Sequence, residues 1–184
     1  MKKDNDNTIR LAIAGFSKTG KTKLCEYLKD GFEKLNNKVG EPTIGFNPFC
    51  KKLFIYKKKV YTLDVWDSNG EQLYLALIKA FIRSVPIVFV FFNYNDKRTF
   101  ELARSMLDER KSEQQIFILV GTKYELKSIS NKKANIVNEE EALEVAKEKN
   151  ALFAHLSIFD KYSSGVNELI KKALEEYIKR RKMN

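Results

Sequence analysis

Short apolar runs alternate along this chain with longer stretches in which apolar residues recur every three or four positions. Short uninterrupted runs are typical of buried strands, and the three-to-four spacing is typical of helices that pack on one side. The pattern predicts strands over residues 9–14, 49–56, 60–65, 87–94, 116–121 and 152–156. It predicts helices over residues 21–36, 71–85, 98–111, 139–149 and 165–182.

The connections between these elements predict an α/β fold. The strands over 49–56 and 60–65 are joined only by Lys57-Lys58-Lys59, so they are expected to pair antiparallel. Helices separate most of the other strands, which favours parallel pairing and a sheet covered on both faces. We therefore expect three layers: a mostly parallel six-stranded sheet with one antiparallel edge strand, and about five helices.

Length and composition favour one globular domain and exclude several classes. The 184 residues suit a single core, and no stretch approaches the roughly 18 apolar residues of a membrane span. The cysteines Cys25 and Cys50 are too few for a disulfide framework and favour a reducing, cytoplasmic setting. His155, the only histidine, lies in an apolar run, so we expect it to be a packed residue rather than a metal ligand.

The net charge of +10 raises the question of an anionic partner. The basic residues occur in separated runs without a nucleic-acid recognition motif, so nucleic acid is not an expected partner. The chain ends in the basic run Lys179-Arg180-Arg181-Lys182. This tail leaves open a weak contact with an anionic membrane, peripheral and on its cytosolic face.

A phosphate-binding loop is the clearest chemical signal in the sequence. Residues 15–22 read Gly-Phe-Ser-Lys-Thr-Gly-Lys-Thr and lie between a predicted strand and a predicted helix, as the pattern G-x-x-x-x-G-K-[ST] requires. Such a loop directs backbone N–H groups at one anionic site. Lys21 would contact the outer phosphates and the Thr22 hydroxyl would ligate Mg²⁺, so a nucleoside diphosphate or triphosphate is the expected ligand.

Further polar residues follow three later strands. Asp67 and Gly70 form a D-x-x-G pattern at one strand end, where the carboxylate would hold Mg²⁺ and the glycine amide would meet the terminal phosphate. Thr122 and Lys123 follow a second strand, and Ser157 follows a third. Carboxyl ends of parallel strands share one edge of a sheet, where ligands bind in such folds.

Taken together, these segments resemble those of the Ras-superfamily small GTPases, most closely the Rab branch, although the resemblance is a divergent one. Residues 15–22 match the phosphate loop, Pro42-Thr43-Ile44-Gly45 resembles the first switch, and residues 66–71 are similar to the Rab-type Trp-Asp-Thr-Ala-Gly-Gln. Residues 120–123, Val-Gly-Thr-Lys, are close to the guanine-binding segment. The resemblance covers nearly the whole chain and implies a P-loop NTPase fold.

The resemblance also implies GTP or GDP with Mg²⁺ as cofactors and assigns residues to them. Thr22, Thr43 and Asp67 are the expected Mg²⁺ ligands, Lys123 would cover the base, and Ser157 and Ile158 would meet the guanine oxygen. The expected catalytic residues are Lys21, Thr43, Gly70, Glu71 and Gln72. The expected nucleotide-binding residues are Ser17, Lys18, Thr19, Gly20, Lys21, Thr22, Lys23, Phe32, Thr43, Gly70, Thr122, Lys123, Glu125, Ser157 and Ile158.

Four positions depart from the family pattern. Glu71, next to Gln72, replaces the glutamine that orients the attacking water, which predicts slow intrinsic hydrolysis unless Gln72 takes that place. Glu125 replaces the aspartate that pairs with guanine, which predicts weakened guanine preference. Phe159 replaces the lysine of Ser-Ala-Lys, and Lys18 lies within the phosphate loop, where it either attracts phosphate or points into solvent.

The sequence therefore predicts a GTP-dependent switch with weak GTPase activity, whose effectors and regulators contact the switch loops. An alternative is a nucleotide-bound scaffold that seldom hydrolyses GTP and acts as an interaction protein. A P-loop nucleoside kinase is disfavoured because arginines are few outside the tail. We expect a monomer with a flexible N-terminus (1–8), a GTPase domain (9–178) and a basic tail (179–184). The tail has no cysteine for prenylation in the sequence as given.

Overall fold

The computed structural model of the chain describes residues 7–30, 46–123, 136–157 and 164–182. Six strands in these residues form one sheet in the order β2-β3-β1-β4-β5-β6. They are β1 (Thr8–Gly15), β2 (Phe46–Tyr56), β3 (Lys59–Ser68), β4 (Ile87–Asn93), β5 (Ile116–Thr122) and β6 (Leu152–Leu156). Neighbouring strands are parallel except β2 and β3. The predicted mostly parallel sheet with one antiparallel edge strand is confirmed.

Five α-helices lie on the two faces of this sheet in the described part of the chain. They are α1 (Lys21–Asp30), α2 (Leu75–Ile82), α3 (Lys97–Leu107), α4 (Glu139–Glu148) and α5 (Ser164–Lys182), and a short 3-10 turn covers Gln72–Tyr74. Side chains of α1 and α5 pack on one face, and those of α2, α3 and α4 pack on the other. None of these helices is both long and apolar enough to cross a membrane.

The core is built by the strands that read as continuous apolar runs. The side chains of β5 are all buried, and those of β4 are buried up to the last residue, Asn93. Alternate residues serve opposite layers, so Phe89 and Phe91 join the α1–α5 side while Val90 and Phe92 join the other. A strand that must fill both layers has no polar face, which explains why the apolar runs predicted parallel strands correctly.

The topology also fixes where a ligand can bind. The first strand of the chain, β1, pairs with β3 on one side and with β4 on the other. The connection that follows β1 contains α1 on one face of the sheet, and the connection from β3 to β4 contains α2 on the other face. The carboxyl end of β1 therefore lies where the connections change from one face to the other. In open parallel sheets this switch point is the usual ligand crevice.

Two predicted helices are shorter in the structure. The helix expected over 71–85 begins at Leu75, after the 3-10 turn, and leaves Leu73 and Leu77 exposed. The helix expected over 98–111 ends at Leu107. Beyond it, the buried side chain of Gln115 accepts from the amide of Lys111 at 2.7 Å and donates to carbonyls at the end of α2. This long-range contact holds the segment in a loop that local apolar spacing did not indicate.

His155 packs on the rings of Tyr94 and Phe153, as expected of a packed residue, but its side chain stays exposed on β6, the edge strand. Its ring nitrogens lie 2.9 Å from the Tyr94 hydroxyl and 2.9 Å from the Glu139 carboxylate. An edge strand lacks a neighbour on one side, so an apolar run there does not guarantee burial. His155 joins β6 to α4 and to the residue that follows β4, at the protein surface.

The turn between β2 and β3 has an unusual composition. Tyr56 pairs with Lys59, which leaves a two-residue turn in which Lys57 (φ 48°) and Lys58 (φ 64°) both have positive φ. A two-residue hairpin loop with positive φ at both positions is a type I′ turn, which strongly prefers Asn-Gly. Side chains with a Cβ atom are disfavoured in this region of backbone space, so the two lysines are conformationally costly.

We expect the double substitution Lys57→Asn and Lys58→Gly to stabilise the protein by about 1 kcal/mol, because Asn and Gly adopt positive φ at lower cost. Urea unfolding of the parent and the variant measures the difference. An unchanged or lower free energy of unfolding would contradict the assignment of strain to this turn.

Candidate functional site

The loop from Gly15 to Lys21 follows β1 and turns sharply into α1. Gly15 has a φ of 140° and Gly20 a φ of 95°, and Lys18 also has a positive φ of 63°. A Cβ atom on Gly15 would collide with the carbonyl oxygen of Phe91 on β4, so no larger residue fits there. The glycines predicted for tight wrapping therefore lie where the backbone requires them.

Lys21 lies inside this loop rather than on the surface. Its side chain is almost fully buried, with 5% of the residue exposed, and its ammonium donates to the carbonyl of Phe16 at 2.8 Å. The hydroxyl of Thr19 donates to the same carbonyl at 2.8 Å. Burial lowers the pKa of Lys21 from its ordinary value of 10.5 to about 8, and the Asp67 carboxylate only partly opposes this. A buried cation with few protein partners suits an anionic ligand.

The lowered pKa predicts two pH effects of opposite sign. Without ligand, the folded state binds fewer protons on Lys21 than the unfolded state between pH 8 and 10.5. The Lys21 contribution to the free energy of unfolding therefore rises with pH across that window, by up to about 3 kcal/mol. A phosphate group would raise the pKa again, so its affinity falls above pH 8 and its binding takes up a proton.

Calorimetric titration of GDP at pH 8 in buffers of different protonation enthalpy measures this uptake, and we expect roughly half a proton per nucleotide. The variant Lys21→Met is the matched control, since it retains the length of the side chain and removes the titrating group. Equal proton uptake by the parent and a variant that still binds would show that another group titrates.

The predicted magnesium residues of the described chain lie together. The Thr22 hydroxyl, at the start of α1, donates to Asp67 Oδ2 on β3 at 2.7 Å, and Asp67 is buried. Hard oxygen donors of this kind suit Mg²⁺, which often needs only one or two protein groups beside phosphate and water. The described residues form no cluster of three or more His, Cys, Asp or Glu, so a dedicated all-protein metal site is not found among them. The third predicted ligand, Thr43, lies outside the described residues.

The D-x-x-G segment contacts the phosphate loop directly. The amide of Ser17 donates to the carbonyl of Gly70 at 2.8 Å, and a Cβ atom on Gly70 would collide with the Ser17 backbone. The Asn69 side chain accepts a hydrogen bond from the amide of Glu71 at 2.6 Å, which turns the chain after Gly70. Glu71 and Gln72 are both exposed beyond this turn. The segment is therefore held at the loop while the two candidate hydrolytic side chains project outward.

The predicted base-binding segment is tied to the same loop. The Thr122 hydroxyl, at the end of β5, lies 2.9 Å from the carbonyl of Thr19 and 2.9 Å from that of Phe92. The ammonium of Lys123 donates to the carbonyl of Lys18 at 2.9 Å. Lys123 itself has a φ of 59°, and its carbonyl accepts from the side chain of Asn95 at 3.0 Å. The phosphate loop and the base segment therefore form one connected surface.

The remaining predicted residues divide into two groups. Lys18 is exposed, Lys23 donates to Glu26 at 2.8 Å, and Ser157 is partly buried just after β6. Phe32, Thr43, Glu125 and Ile158 lie outside the described residues. The roles assigned to all of these residues stay predictions.

Two site residues were missed by the sequence analysis. Asn69 and Asn95 both stabilise backbone turns, one beside the phosphate loop and one beside Lys123. Asparagine after a strand is a common turn former, which was the available signal. The sequence could not show which distant backbone group each side chain would contact.

Comparison with known proteins agrees with this geometry. The model of the Ras family matches residues 10–179. The chain is 31% identical over 124 residues to the Ras-related protein Rab-39A of Mus musculus, which covers 65% of this chain and 57% of that protein. It is 28% identical over 149 residues to the Ypt/Rab-type GTPase YPT7 of Saccharomyces cerevisiae, covering 77% of this chain and 68% of that protein. The matched region thus spans little more than half the length of Rab-39A.

Proposed function

This chain belongs to the Ras family, with its similarity to the Rab proteins, and from that premise we propose that it binds GTP and GDP with Mg²⁺ as a nucleotide-dependent switch. The observation that carries the proposal is the buried ammonium of Lys21 inside a loop of positive-φ residues at the end of β1. A cation withdrawn from water at the switch point of a parallel sheet is stabilised by phosphate.

The magnesium ion would be held by Thr22 and Asp67, with Thr43 as the third ligand that the family implies. The proximity of the Thr22 hydroxyl and the Asp67 carboxylate supports this assignment. When bound, Mg²⁺ neutralises charge on the phosphate oxygens. The protein contribution is to place two oxygen donors beside Lys21.

Guanine would bind beside Lys123. The contact between Lys123 and the Lys18 carbonyl, together with the link from Thr122 to Thr19, fixes the base segment against the phosphate loop. Glu125 takes the place of the guanine-pairing aspartate and would weaken the preference for guanine without abolishing it. Ser157 and Ile158 would contribute at the guanine oxygen.

Switching would act through the segment that begins at Gly70. Its carbonyl accepts from the Ser17 amide, so movement of this segment is coupled to the loop that holds the phosphates. Effectors would read the switch segments and the exposed face of the β2–β3 hairpin. Leu73 and Leu77, in the segment that follows Gly70, are 83% and 54% exposed and provide apolar contact area.

The hydrolytic activity would be weak. Glu71 is an exposed carboxylate where the family pattern has a neutral glutamine, and a carboxylate cannot donate a hydrogen bond to water. The same observation favours the second candidate, a scaffold whose nucleotide is a structural ligand. Single-turnover hydrolysis and nucleotide-release rates separate the two, since a scaffold retains its nucleotide unchanged.

The remaining proposals concern organisation and location. We propose a GTPase domain over 9–178 and a basic tail over 179–184, of which α5 includes the part up to Lys182. Most of the predicted N-terminal segment 1–8 lies outside the described residues, and Thr8 belongs to β1. We propose a monomer in the cytoplasm, with a role in vesicle trafficking, and weak contact of the basic tail with anionic membranes. Effector and regulator proteins would be its partners.

Competition for the site tests the proposal. Displacement of fluorescent GDP by GTP, ATP and XTP measures both phosphate and base recognition. We expect GTP to compete at concentrations at least about tenfold below ATP, because each unmatched buried polar group on the wrong base costs about 1–3 kcal/mol. Equal competition by ATP would contradict guanine recognition, and no displacement by any nucleotide would contradict the whole proposal.

A further inference from the structure

Three side chains form a hydrogen-bonded chain across the sheet, close to the proposed base site. The Tyr94 hydroxyl lies 2.9 Å from His155 Nδ1, and His155 Nε2 lies 2.9 Å from Glu139 Oε1. Tyr94 follows β4, His155 belongs to β6, and Glu139 is the first residue of α4. We call these three side chains the Tyr94–His155–Glu139 strap.

The strap crosses over the strand that leads to the base segment. β5 lies between β4 and β6, so the contact from Tyr94 to His155 joins strands that are not neighbours in the sheet. Gly121 of β5 pairs with His155 in the strand register, and a Cβ atom on Gly121 would collide with the Tyr94 ring. The Tyr94 ring therefore occupies the space of a β5 side chain, directly before Thr122 and Lys123.

Ring contacts hold the strap in place. The rings of Tyr94 and His155 are stacked, with their centroids 5.6 Å apart. Phe92 meets the Tyr94 ring edge to face at 4.9 Å, and Phe153 meets the His155 ring in the same way at 4.9 Å. Tyr94 is fully buried, whereas His155 is exposed. One end of the strap is therefore fixed in the core and the other reaches the surface.

The backbone of Tyr94 and the side chain of Asn95 connect the strap to the base segment. The Tyr94 amide donates to the carbonyl of Thr122 at 3.1 Å. The Asn95 side chain donates to the carbonyl of Lys123 at 3.0 Å. On the other side, the Tyr94 carbonyl accepts from the amide of Val137, just before α4, at 2.8 Å. Tyr94 thus contacts the base segment through its backbone and β6 through its hydroxyl.

The other end of the strap lies beside a second strand end that is assigned to guanine. His155 precedes Ser157 by two residues, and Ser157 is proposed to contribute at the guanine oxygen. The strap therefore links the ends of β5 and β6, which have to approach the same base. Segments that are already held in their bound arrangement lose less conformational freedom when a ligand binds, so such a link favours binding.

The strap does not depend on one protonation state of the imidazole. In a neutral ring with its proton on Nε2, the Tyr94 hydroxyl donates to Nδ1, and Nε2–H donates to the Glu139 carboxylate. An imidazolium donates at both nitrogens, and the Tyr94 hydroxyl then accepts. Both forms retain both contacts, so the role of His155 is to fix positions rather than to sense pH.

We propose that His155 is a positioning residue for the guanine base and acts through Tyr94 on the base segment. The inference rests on the proposed nucleotide site and adds a residue that no motif in the sequence indicated. Without the strap, the base segment can adopt other arrangements, which the base must restrict when it binds. Loss of the strap therefore weakens recognition of the base and leaves recognition of the phosphates intact.

Two single variants and their combination test the proposal. His155→Phe keeps an aromatic ring and removes both nitrogens, and Tyr94→Phe removes only the hydroxyl. Competition with fluorescent GDP measures the affinities for GDP and for pyrophosphate, which has no base. We expect each variant to bind GDP about threefold to tenfold more weakly, the effect of one net hydrogen bond, and to bind pyrophosphate like the parent. The double variant should lose no more than a single one, because both substitutions remove the same contact.

The matched control is Tyr56→Phe, which removes the hydrogen bond between the Tyr56 hydroxyl and the Glu175 carboxylate. Tyr56 pairs with Lys59 at the amino-terminal end of β3, whereas the phosphate loop follows the carboxyl end of β1, which is parallel to β3. We expect this variant to bind both GDP and pyrophosphate like the parent. An equal loss of GDP affinity in the control would show that general destabilisation is the cause and would overturn the proposal.

The remaining outcomes separate this inference from the proposed function. If the parent binds GDP and His155→Phe and Tyr94→Phe bind it equally tightly, the positioning role is refuted and the nucleotide site stands. If the variants lose affinity for pyrophosphate as much as for GDP, the effect is not specific to the base and the positioning role is again refuted. A parent that binds no guanine nucleotide would overturn the proposed function and this inference with it.

Discussion

Replacement of Lys21 by alanine is expected to weaken the binding of GDP and GTP by roughly thirty-fold to several thousand-fold. This corresponds to the loss of about 2–5 kcal/mol that follows when one partner is removed from a buried charge pair. The Lys21 ammonium lies inside the loop and donates to the carbonyl of Phe16. Because Lys21 is buried, a lysine on the protein surface cannot take its place beside the phosphate. Equilibrium titration with a fluorescent nucleotide measures the affinity.

The control for this variant is Lys29→Ala, which removes the same charge from the exposed last turn of α1. Its nucleotide affinity should stay within about twofold of the parent, because exposed charges at this distance are screened by salt. Without nucleotide, Lys21→Ala should not be strongly destabilised, since burial already disfavours the charged lysine. Similar affinities of the two variants would refute the placement of phosphate beside Lys21.

Replacement of Glu71 by glutamine is expected to raise the single-turnover rate of GTP hydrolysis by about a hundredfold, the lower end of what one positioned side chain contributes. Glutamine supplies a neutral donor and acceptor for water, whereas a carboxylate supplies only acceptors and adds negative charge beside phosphate. Glu71 is exposed and follows the turn held by Asn69, so the substitution disturbs no buried contact of its side chain.

Two further variants make this measurement specific. Glu140→Gln introduces the same chemical change on the exposed surface of α4 and should leave the rate unchanged. Gln72→Ala tests the neighbouring residue. If Gln72→Ala slows the parent while Glu71→Gln does not accelerate it, Gln72 is the residue that orients water, and the explanation of weak activity through Glu71 fails.

Sequence reasoning worked best where one local constraint determines the structure. Gly15 and Gly20 were identified from a motif, and the structure shows a positive φ at both and, at Gly15, a close contact with Phe91 that excludes a Cβ atom. The runs around Phe89 and Ile118 predicted buried parallel strands because a strand between two layers needs apolar residues on both faces. Both features depend only on neighbouring residues or on a simple period.

Sequence reasoning failed where the deciding contact comes from a distant segment. The side chain of Gln115, beyond α3, donates to the carbonyls of Ile82 and Val85 at the end of α2 and so holds its own segment in a loop. The side chain of Asn95 donates to the carbonyl of Lys123 and stabilises the turn there. His155 was expected to be a packed residue, but the sequence did not show that an edge strand leaves it exposed and bonded to Tyr94 and Glu139. None of these pairs is recognisable from spacing along the chain, because each depends on which backbone groups the topology brings together.

The burial of Lys21 was also inaccessible to the motif alone. The pattern indicates that a lysine faces phosphate, but it does not indicate how far the side chain is removed from water. The structure gives a nearly buried ammonium with a pKa lowered to about 8. This environment connects the local sequence motif to a measurable pH dependence of ligand binding.

The central claim is that a guanine nucleotide occupies the loop around Lys21, and mass spectrometry of the nucleotide released from purified protein tests it most directly. We predict GDP or GTP in a ratio close to one per chain, lost from the Lys21→Ala protein purified in the same way. Protein that releases no nucleotide and also binds none when supplied with excess GDP and Mg²⁺ would contradict the claim.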